Sequence, residues 1–530
     1  MAICTVCGAD GRKNVTDSTL VSWECPKNQD SPCEPCLKIS ELELRIQQTK
    51  SLLVQLVEER RSLQTHRNRE HDPMGKLPPE IVSSIFTFCG APPRSSRIKT
   101  FGIWKLSLFS QVLGRVCRRW REIAQATPQL WTNITLSLET AKANWQTERT
   151  KERISRSGHL PLSISLFMSN SGTSPFDPHP FHTLIDLLNG NSWRWRDISA
   201  SIPYSLLSRL RPDKHGIPML TDMTIRACDC RIVRQAFPFD FGPITPSLVS
   251  VDFCAFFFAS IVISWRTVVR VHLGTLSVGE FFELFQQGPN ITECNIDSIT
   301  GGDEEHLNPS DELIHCSLRQ LALGSEGDVS GMHLSKLLVP SLQSLNYNEG
   351  RASVLRAVLA PSSSLISLSI KDVAGTEEEI LEILHMTPSL ERLRVYQCPL
   401  ANQFLHTLAA TTICHRDDEG QRVFLPSLKD LIWDDVSQRL SWHLIPLLFP
   451  SGPLSSTGHQ RPLKRVEIAV SDLEDDDYIE EEVLKEILGI LKRGIELVIT
   501  NAADDDLIAH SQEYYESLDS REGTDQSEET

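Results

Sequence analysis

One short apolar phrase recurs along most of the chain and constrains its fold more than any other feature. Nine segments follow the pattern x-Leu-x-x-Leu-x-Leu, with other apolar residues at some leucine positions: SLVSVDF at 247, TVVRVHL at 267, NITECNI at 290, SLRQLAL at 317, SLQSLNY at 341, SLISLSI at 364, SLERLRV at 389, SLKDLIW at 427 and PLKRVEI at 462. Most spacings between them fall in or near the range of about 20 to 29 residues that a repeat of one strand and one helix occupies. The sequence therefore predicts a repeated structural unit.

Each phrase reads as a short strand, and the segments between the phrases read as helices. Alternate residues of a strand point to one face, so the apolar residues of a phrase point inward together. Four intervening segments are apolar at the i, i+3, i+4 and i+7 positions of a helix: GEFFELFQQ, ASVLRAVLA, EEEILEILHM and EEVLKEILGILKRG. One such unit cannot bury its own apolar face, so neighbouring units must stack.

The pattern resembles that of leucine-rich repeats, and looser phrases beginning near residues 133, 161, 197 and 219 extend it toward the N-terminus. We expect an α/β fold class: an N-terminal helix and a helical domain, followed over residues 133–505 by an irregular leucine-rich-repeat solenoid of strands and helices with a parallel sheet. The alternative is a single α/β domain with a doubly wound sheet. A doubly wound sheet would not keep this period over nine returns.

The sheet face of such a solenoid is its usual binding surface, because the residues between the inward ones project toward a partner. In the more regular repeats the projecting residues include Asn346, Ser369 and Ile432. A smaller set gives the candidates for target contact, and its aromatic and acidic members favour recognition of a basic protein target. That set is Arg394, Tyr396, Trp433, Asp434 and Asp435. The alternative for each of them is plain solvation.

Ahead of the repeats lies a short region that predicts two helices. In KLPPEIVSSIFTFCG the two prolines stand where the first turn of a helix tolerates them, Glu80 adds a carboxylate at the positive end of the helix dipole, and Gly90 provides a stop. A second helix is predicted from Leu106 to Ala124, and TPQLW closes the region. About 55 residues are near the lower limit for an independent core. The apolar stripe must therefore pack on the rest of the chain or on another protein.

These residues resemble an F-box, the helical motif through which substrate receptors dock onto the Skp-type adaptor of cullin–RING ubiquitin ligases. The resemblance rests on LPPEIVSSIFTFC followed by LGRVCRRWREIAQATPQLWTNI and covers residues 76–132. A heptad helix running into the motif is similar to an arrangement common in fungal F-box proteins. The resemblance implies an adaptor-facing set consisting of Leu77, Pro78, Pro79, Glu80, Ile81, Ile85, Phe86, Val116, Cys117, Trp120, Leu130 and Trp131. Val116 and Cys117 alternatively serve the core of the motif itself.

The first 36 residues carry two CxxC pairs, formed by Cys4, Cys7, Cys33 and Cys36, with Cys25 between them. Four thiolates could hold a structural zinc ion, the one cofactor that the sequence suggests. The alternative is a flexible segment with free thiols. A catalytic zinc would need an open coordination position and a nearby base, so we do not expect one.

Residues 37–72 carry a heptad pattern. The core positions of this helix are Ile39, Leu42, Ile46, Thr49, Leu53, Leu56, Arg60 and Leu63. The stripe could pack on the chain itself, or it could form a coiled coil that dimerises the protein. Pro73 ends the helix, because a residue before proline is pushed out of the helical region.

Charge and composition narrow the classes of partner. The chain of 530 residues has a formal net charge of −17, which disfavours binding to nucleic acid or to an anionic membrane. Its longest apolar run, FCAFFFASIVISW, is shorter than the ~20 residues of a membrane span, and no signal peptide is evident. We therefore expect an intracellular protein of the cytoplasm or nucleus, with an acidic disordered tail over residues 506–530.

The sequence contains none of the GxSxG, P-loop, GxGxxG or HExxH motifs. We therefore expect a non-catalytic substrate receptor of an SCF-type ligase, with a Skp-type adaptor, a cullin and an unidentified protein target as partners. The first alternative is a scaffold that acts outside ubiquitin transfer. The others are a zinc-dependent nucleic-acid module at the N-terminus and, more remotely, a hydrolytic enzyme.

Overall fold

The computed structural model describes residues 34–71, 73–90, 103–168, 176–228, 239–240, 248–254, 256–301, 313–325, 336–362, 364–413, 423–436, 440–449, 461–471, 478–501, 503 and 505–525. The chain divides into two compact units, Met1–Phe86 and Thr87–Thr530. Cys4, Cys7 and Cys33 lie outside the described residues, and Cys36 lies in the first helix without a described side chain. The zinc site therefore stays a prediction.

The first unit begins with a long helix, α1 (Glu34–His71), followed by a 3-10 turn (Pro73–Lys76) and by most of α2 (Pro79–Cys89). Pairs of opposite charge four residues apart support α1; the Lys38 Nζ and Glu34 Oε1 atoms are 2.7 Å apart. In α2, the backbone N–H groups of Ile81 and Val82 donate to the carbonyl oxygen of Pro78 and close the first turn.

The heptad stripe of α1 is exposed. Each of its aliphatic core positions keeps at least 42% of its surface accessible, namely Ile39, Leu42, Ile46, Leu53, Leu56 and Leu63. The described residues leave this stripe uncovered, and its packing on the chain itself stays an alternative. Dimerisation through α1 stays a prediction.

The second unit alternates strands with helices. Its helices are α3 (Ile103–Val116), α4 (Arg118–Gln125), α5 (Ala143–Arg156), α6 (His182–Asn189), α7 (Tyr204–Leu207), α8 (Val278–Gln287), α9 (Ala352–Leu359), α10 (Glu377–His385), α11 (Asn402–Ile413), α12 (Leu444–Leu447), α13 (Glu481–Lys492) and α14 (Leu507–Asp525). Its strands are β1 (Asn133–Ser137), β2 (Leu162–Phe167), β3 (Trp195–Ile202), β4 (Asp222–Ala227), β5 (Phe239–Asp240), β6 (Ser250–Cys254), β7 (Ile261–Val262), β8 (Arg270–Ser277), β9 (Glu293–Thr300), β10 (Leu313–Ile314), β11 (Gln320–Ser325), β12 (Leu337–Leu338), β13 (Ser344–Asn348), β14 (Ser367–Lys371), β15 (Arg392–Tyr396), β16 (Asp430–Val436), β17 (Arg465–Val470) and β18 (Glu496–Thr500).

Fourteen of these strands form one sheet, in the order β1-β2-β3-β4-β6-β8-β9-β11-β13-β14-β15-β16-β17-β18. The neighbouring strands pair in parallel, as in the register of Leu345 with Leu368 and of Leu368 with Leu393. The strands add in chain order without a reversal, whereas a doubly wound sheet reverses its order at a switch point. The expected parallel strand–helix arrangement is confirmed, and the doubly wound alternative is excluded.

Every repeated phrase contributes a strand to this sheet, and within each phrase the strand residues are alternately buried and outward-facing. In β14 the buried residues are Leu368 and Ile370, while Ser367, Ser369 and Lys371 face outward. The buried strand residues and the apolar faces of the helices join in one continuous core cluster, which extends from Ile134 to Ile508. The parallel strands and the helices between them therefore share one core.

Three consecutive units close with the same turn. Glu349, Asp372 and Gln397 directly follow β13, β14 and β15, and their φ angles are 56°, 51° and 49°. The N–H of Glu349 donates to the carbonyl oxygen of Lys371, and the N–H of Asp372 donates to that of Tyr396. The first two turns thus bond to the last residue of the following strand.

Two expectations about elements are corrected. The single helix expected from Leu106 to Ala124 is broken at Cys117, which has an extended backbone and caps α4. The tail expected to be disordered instead contains α14, in which Leu507, Ile508 and Ser511 are buried. The Ser511 hydroxyl accepts a hydrogen bond from the Ile479 N–H at 3.0 Å, which joins α14 to the segment just before α13.

In the part of the chain that the structure describes, no helix has the length and apolar character required to cross a membrane.

Candidate docking surfaces

Helix α2 presents part of the set expected to face an adaptor. Pro78, Pro79, Glu80, Ile81 and Ile85 are exposed, and Leu77 is half-buried. Among the described residues, the five exposed positions are accessible to a second protein, as docking requires.

Two phenylalanines of α2 differ from expectation. Phe86 was expected to face the adaptor, but only 2% of its surface is accessible. The expectation is wrong for this side chain, because a ring buried within its own chain cannot bind a partner. Phe88 is not in the expected adaptor-facing set, yet its surface is 84% accessible. It adds an aromatic group to the exposed apolar residues of α2.

The second part of the motif surrounds the break between α3 and α4. Val116 is exposed, whereas Cys117, Trp120 and Leu130 are half-buried. The Cys117 Sγ accepts a hydrogen bond from the Trp120 N–H at 3.4 Å and so caps α4. Val116 does not serve the core of the motif, and Cys117 has a structural role as a cap.

Trp131 is buried, which corrects its expected role as an adaptor-facing residue. Its Nε1–H donates to the carbonyl oxygen of Ala124 at 2.8 Å, which fixes the ring on α4. The guanidinium carbon of Arg156, from α5, lies 4.5 Å from the ring centroid, a cation–π contact. Trp131 therefore joins the motif to the beginning of the sheet region instead of facing a partner.

A cleft of about 710 Å³ opens beside Trp131. Five arginines and two glutamates are among its lining residues: Arg115, Arg121, Arg149, Arg153, Arg156, Glu148 and Glu152. Burial and the nearby charge of Arg149 lower the pKa of Arg153 to about 10. The cleft is thus locally positive in a chain of strongly negative net charge.

The outward face of the C-terminal strands carries three of the expected target-binding residues. Arg394 and Tyr396 project from β15, and Asp434 lies beside Tyr396 in the register of β16. These three side chains therefore share one surface. Asp435 belongs to β16, but its side chain is not described.

Trp433 was expected on this surface, and the structure corrects the expectation. Only 1% of its surface is accessible, and its ring packs edge-on against Phe404 with the centroids 5.4 Å apart. The cause is the alternation of the strand: Leu431 and Trp433 point inward, so Ile432 and Asp434 point outward.

A charged cluster in the middle of the sheet was not anticipated. An Arg226 Nη2–H donates to Asp252 Oδ2 at 2.8 Å, and the His272 Nδ1 lies 3.3 Å from Asp252 Oδ1. The His272 Nε2 lies 2.8 Å from Asp297 Oδ1. Cys254 adjoins Asp252, with 3.9 Å between Sγ and Oδ1. The five side chains come from the consecutive strands β4, β6, β8 and β9.

The cluster shifts the pKa values of its members. Hydrogen bonds with Asp252 and then with Asp297 raise the pKa of His272 to about 9, so the imidazole is charged at neutral pH. Burial opposes ionisation of Asp252, but the hydrogen bonds from His272 and Arg226 prevail and lower its pKa. Burial raises the pKa of the Cys254 thiol to about 11.

Alignment of the repeated phrases could have revealed this cluster. Asp252 lies between two inward residues in SLVSVDF, and His272 occupies the same place in TVVRVHL. Because neighbouring strands of a parallel sheet are in register, equal places in successive phrases become neighbours. The observed pairing of Asp252 with His272 follows this rule.

Comparison with known families adds one match. The family model F-box-like matches residues 74–137, a segment that extends from the turn before α2 to the end of β1. No curated protein matches the chain. The match supports an F-box protein. F-box domains in general bind Skp-type adaptors, and F-box proteins are generally non-catalytic adaptors of SCF-type ligases.

Proposed function

We propose that the chain is the substrate-recognition subunit of an SCF-type cullin–RING ubiquitin ligase. The observation that carries the proposal is the F-box-like match at residues 74–137, whose last residues form the first strand of a long parallel sheet. An F-box accounts for adaptor binding, and the outward face of the sheet provides a broad surface for a target. The complex would act inside the cell, in the cytoplasm or nucleus.

On the adaptor side, the proposed contacts are exposed or half-buried residues of the motif. They are Leu77, Pro78, Pro79, Glu80, Ile81, Ile85, Phe88, Val116, Trp120 and Leu130. Burial of a few aliphatic side chains at an interface contributes roughly 1.5 to 3 kcal/mol each before association costs. Docking of this kind needs no ion pair.

On the target side, the repeats are leucine-rich in type and stack as a solenoid. The support is the chain-order sheet and the turn that recurs after β13, β14 and β15. Arg394, Tyr396 and Asp434 are the proposed target contacts. Arg394 and Asp434 have opposite charges, so the surface fits a protein target that carries both signs of charge.

The mechanism is positional. The ligase transfers ubiquitin from a conjugating enzyme to a lysine of the target, and this chain holds that lysine within reach. The gain comes from raising the effective concentration of one reactant near the other. No residue of this chain takes part in bond making.

Co-purification with a Skp-type adaptor and a cullin tests the proposal. The native chain should recover both partners, and a Leu77→Ala, Pro78→Ala double variant should recover neither. Met219→Ala is the matched control, because Met219 is an exposed apolar residue of the sheet region. The double variant must keep the thermal transition of the native chain.

The outcomes separate the rival functions. Recovery of the adaptor without the cullin would favour a scaffold that acts outside ubiquitin transfer. No recovery of the adaptor by the native chain would overturn the proposal.

A further inference from the structure

The charged cluster of the sheet brings together three side chains with the atoms that transition metals prefer. The Cys254 Sγ, a ring nitrogen of His272 and a carboxylate oxygen of Asp297 all lie within 4.8 Å of one another. They project from the neighbouring strands β6, β8 and β9, whose pairing fixes their spacing. A scaffold of paired strands holds such a set more precisely than a loop does.

The residues around these three complete a pattern typical of metal sites. The His272 Nδ1 faces Asp252 Oδ1 at 3.3 Å, and Asp252 is itself held by the 2.8 Å hydrogen bond from Arg226. A ligating histidine almost always donates its other ring N–H to a carboxylate or carbonyl, which fixes the tautomer. In the free chain each ring nitrogen of His272 faces a carboxylate, so a metal ion bound at Nε2 would replace the proton on that nitrogen, while Asp252 would hold the Nδ1–H.

We propose that Cys254 Sγ, His272 Nε2 and an Asp297 carboxylate oxygen form a binding site for one divalent transition-metal ion, with Asp252 and Arg226 as its supporting partners. The mixture of sulfur, nitrogen and oxygen ligands suits zinc, and it does not suit magnesium or calcium, which prefer oxygen alone. Cys254 binds as the thiolate and His272 as the neutral imidazole, so binding releases two protons to solvent, one from the Cys254 thiol and one from the His272 Nε2.

The site is accessible to solvent and leaves one coordination position without a protein ligand. Its ligands lie on the outward face of the sheet, where Asp297 is exposed and Cys254 and His272 are half-buried. Zinc with three protein ligands keeps a fourth position for water or for a group of another molecule. The site is independent of the proposed adaptor contacts, since it lies wholly within the paired strands β6, β8 and β9.

The alternative is a cluster of ion pairs that stabilises the sheet face and binds no metal. Cobalt(II) distinguishes the two, because a tetrahedral cobalt site absorbs visible light and a cobalt–thiolate bond adds a near-ultraviolet band. The N-terminal cysteines could also bind metal, so the test uses the full-length chain with Cys4, Cys7, Cys33 and Cys36 all changed to serine.

We expect this chain to bind one equivalent of cobalt with both spectral features. Cys254→Ser should abolish the near-ultraviolet band, and His272→Asn should abolish tight binding. Cys316→Ser is the control, because Cys316 is an exposed free cysteine outside the cluster. Asp252→Asn should keep the stoichiometry but weaken affinity by about 10- to 100-fold, the usual effect of losing a supporting carboxylate.

A measurement on the native sequence avoids variants that fail to fold. Zinc should slow alkylation of Cys254, read by peptide mass spectrometry, and should leave alkylation of Cys316 unchanged. The proposal is overturned if the serine-substituted chain binds no cobalt, if Cys254→Ser keeps the thiolate band, or if zinc leaves the alkylation rate of Cys254 unchanged. The Leu77→Ala, Pro78→Ala variant should still bind cobalt, which separates this site from the adaptor function.

Discussion

Individual buried arginines hold irregular segments of the sheet region together. Arg461 donates to the carbonyl oxygens of Leu408 at 2.7 Å and of Phe424 at 2.9 Å, and also to the Thr411 hydroxyl. Arg194 plays the same part near the N-terminal end of the sheet and donates to the carbonyl oxygen of Leu160. Buried backbone carbonyls must find donors, and these guanidinium groups provide several at once.

Replacement of Arg461 should therefore be costly. Arg461→Met should lower the free energy of unfolding by about 3 kcal/mol or more, because buried acceptors lose their donor at about 1 to 3 kcal/mol each. Arg465→Met, at an outward position of β17, should change it by less than about 1 kcal/mol. Urea unfolding measures both, and equal stability of the two variants would contradict the assigned role.

Trp433 and Tyr396 should behave oppositely although both are aromatic residues of neighbouring strands. Trp433→Ala removes a buried ring and should cost about 3 to 5 kcal/mol of stability. Tyr396→Ala should leave the unfolding midpoint nearly unchanged and weaken capture of the target. Thermal unfolding combined with target pull-down checks the pair. If Trp433→Ala kept its stability but lost target capture, Trp433 would act as a target contact and not as a core residue.

At the scale of elements, α2 should act through its exposed face. Ile81→Ala and Phe88→Ala should each weaken adaptor binding by about tenfold or more, because a truncated apolar contact loses about 1.4 kcal/mol. Stability should hardly change, since both side chains are exposed in the free chain. Calorimetric titration with a purified Skp-type adaptor measures the effect, with Met219→Ala as the control. Unchanged affinity in both variants would show that α2 does not dock.

Helix α14 should stabilise α13 and β18, the helix and strand that precede it. A chain ending at Asp506 loses Leu507 and Ile508, whose burial contributes roughly 1.5 to 3 kcal/mol each. It also loses the Ser511 bond to Ile479 and the ring stack of Tyr514 on Tyr478. We expect faster hydrogen exchange in α13 and β18 than in the native chain. A chain lacking only residues 526–530 is the control, and equal exchange in the two truncated chains would contradict this role.

The sequence predicted elements better than it predicted surfaces. The strands were readable because alternation fixes which residues of SLISLSI or SLERLRV point inward. Helix α14 was missed because the acidic residues around Tyr514 and Tyr515 mask its short apolar stripe. The inward position of Trp433 and the meeting of Asp252 with His272 follow from the register of the phrases and could have been predicted from them. Burial of Phe86 and Trp131, in contrast, depends on contacts between different helices and strands. Composition and period do not reveal such contacts.

At the scale of the whole sheet, each described inner strand pairs with the sheet strand that precedes it and the one that follows it in chain order. Stability in such an array is approximately a sum of unit terms and nearest-neighbour terms. The effect of a core substitution on unfolding should therefore depend on its position along the sheet as much as on the side-chain atoms that it removes. Leu368 of β14 and Leu497 of β18 provide a matched pair, since both are buried leucines of the same sheet.

Leu368→Ala and Leu497→Ala each remove the same side-chain atoms, at about 2 to 5 kcal/mol. Leu368 lies between two paired strands, so its loss should weaken the coupling of the units on either side and broaden urea unfolding into more than one step. Leu497 lies in the last strand, so its loss should raise hydrogen exchange in β18 and α13 alone. Hydrogen exchange, measured by mass spectrometry on both variants, distinguishes these local effects from unfolding of the sheet as a whole. A uniform loss of protection along the whole sheet in both variants would mean that the array unfolds as one cooperative core, contrary to nearest-neighbour coupling.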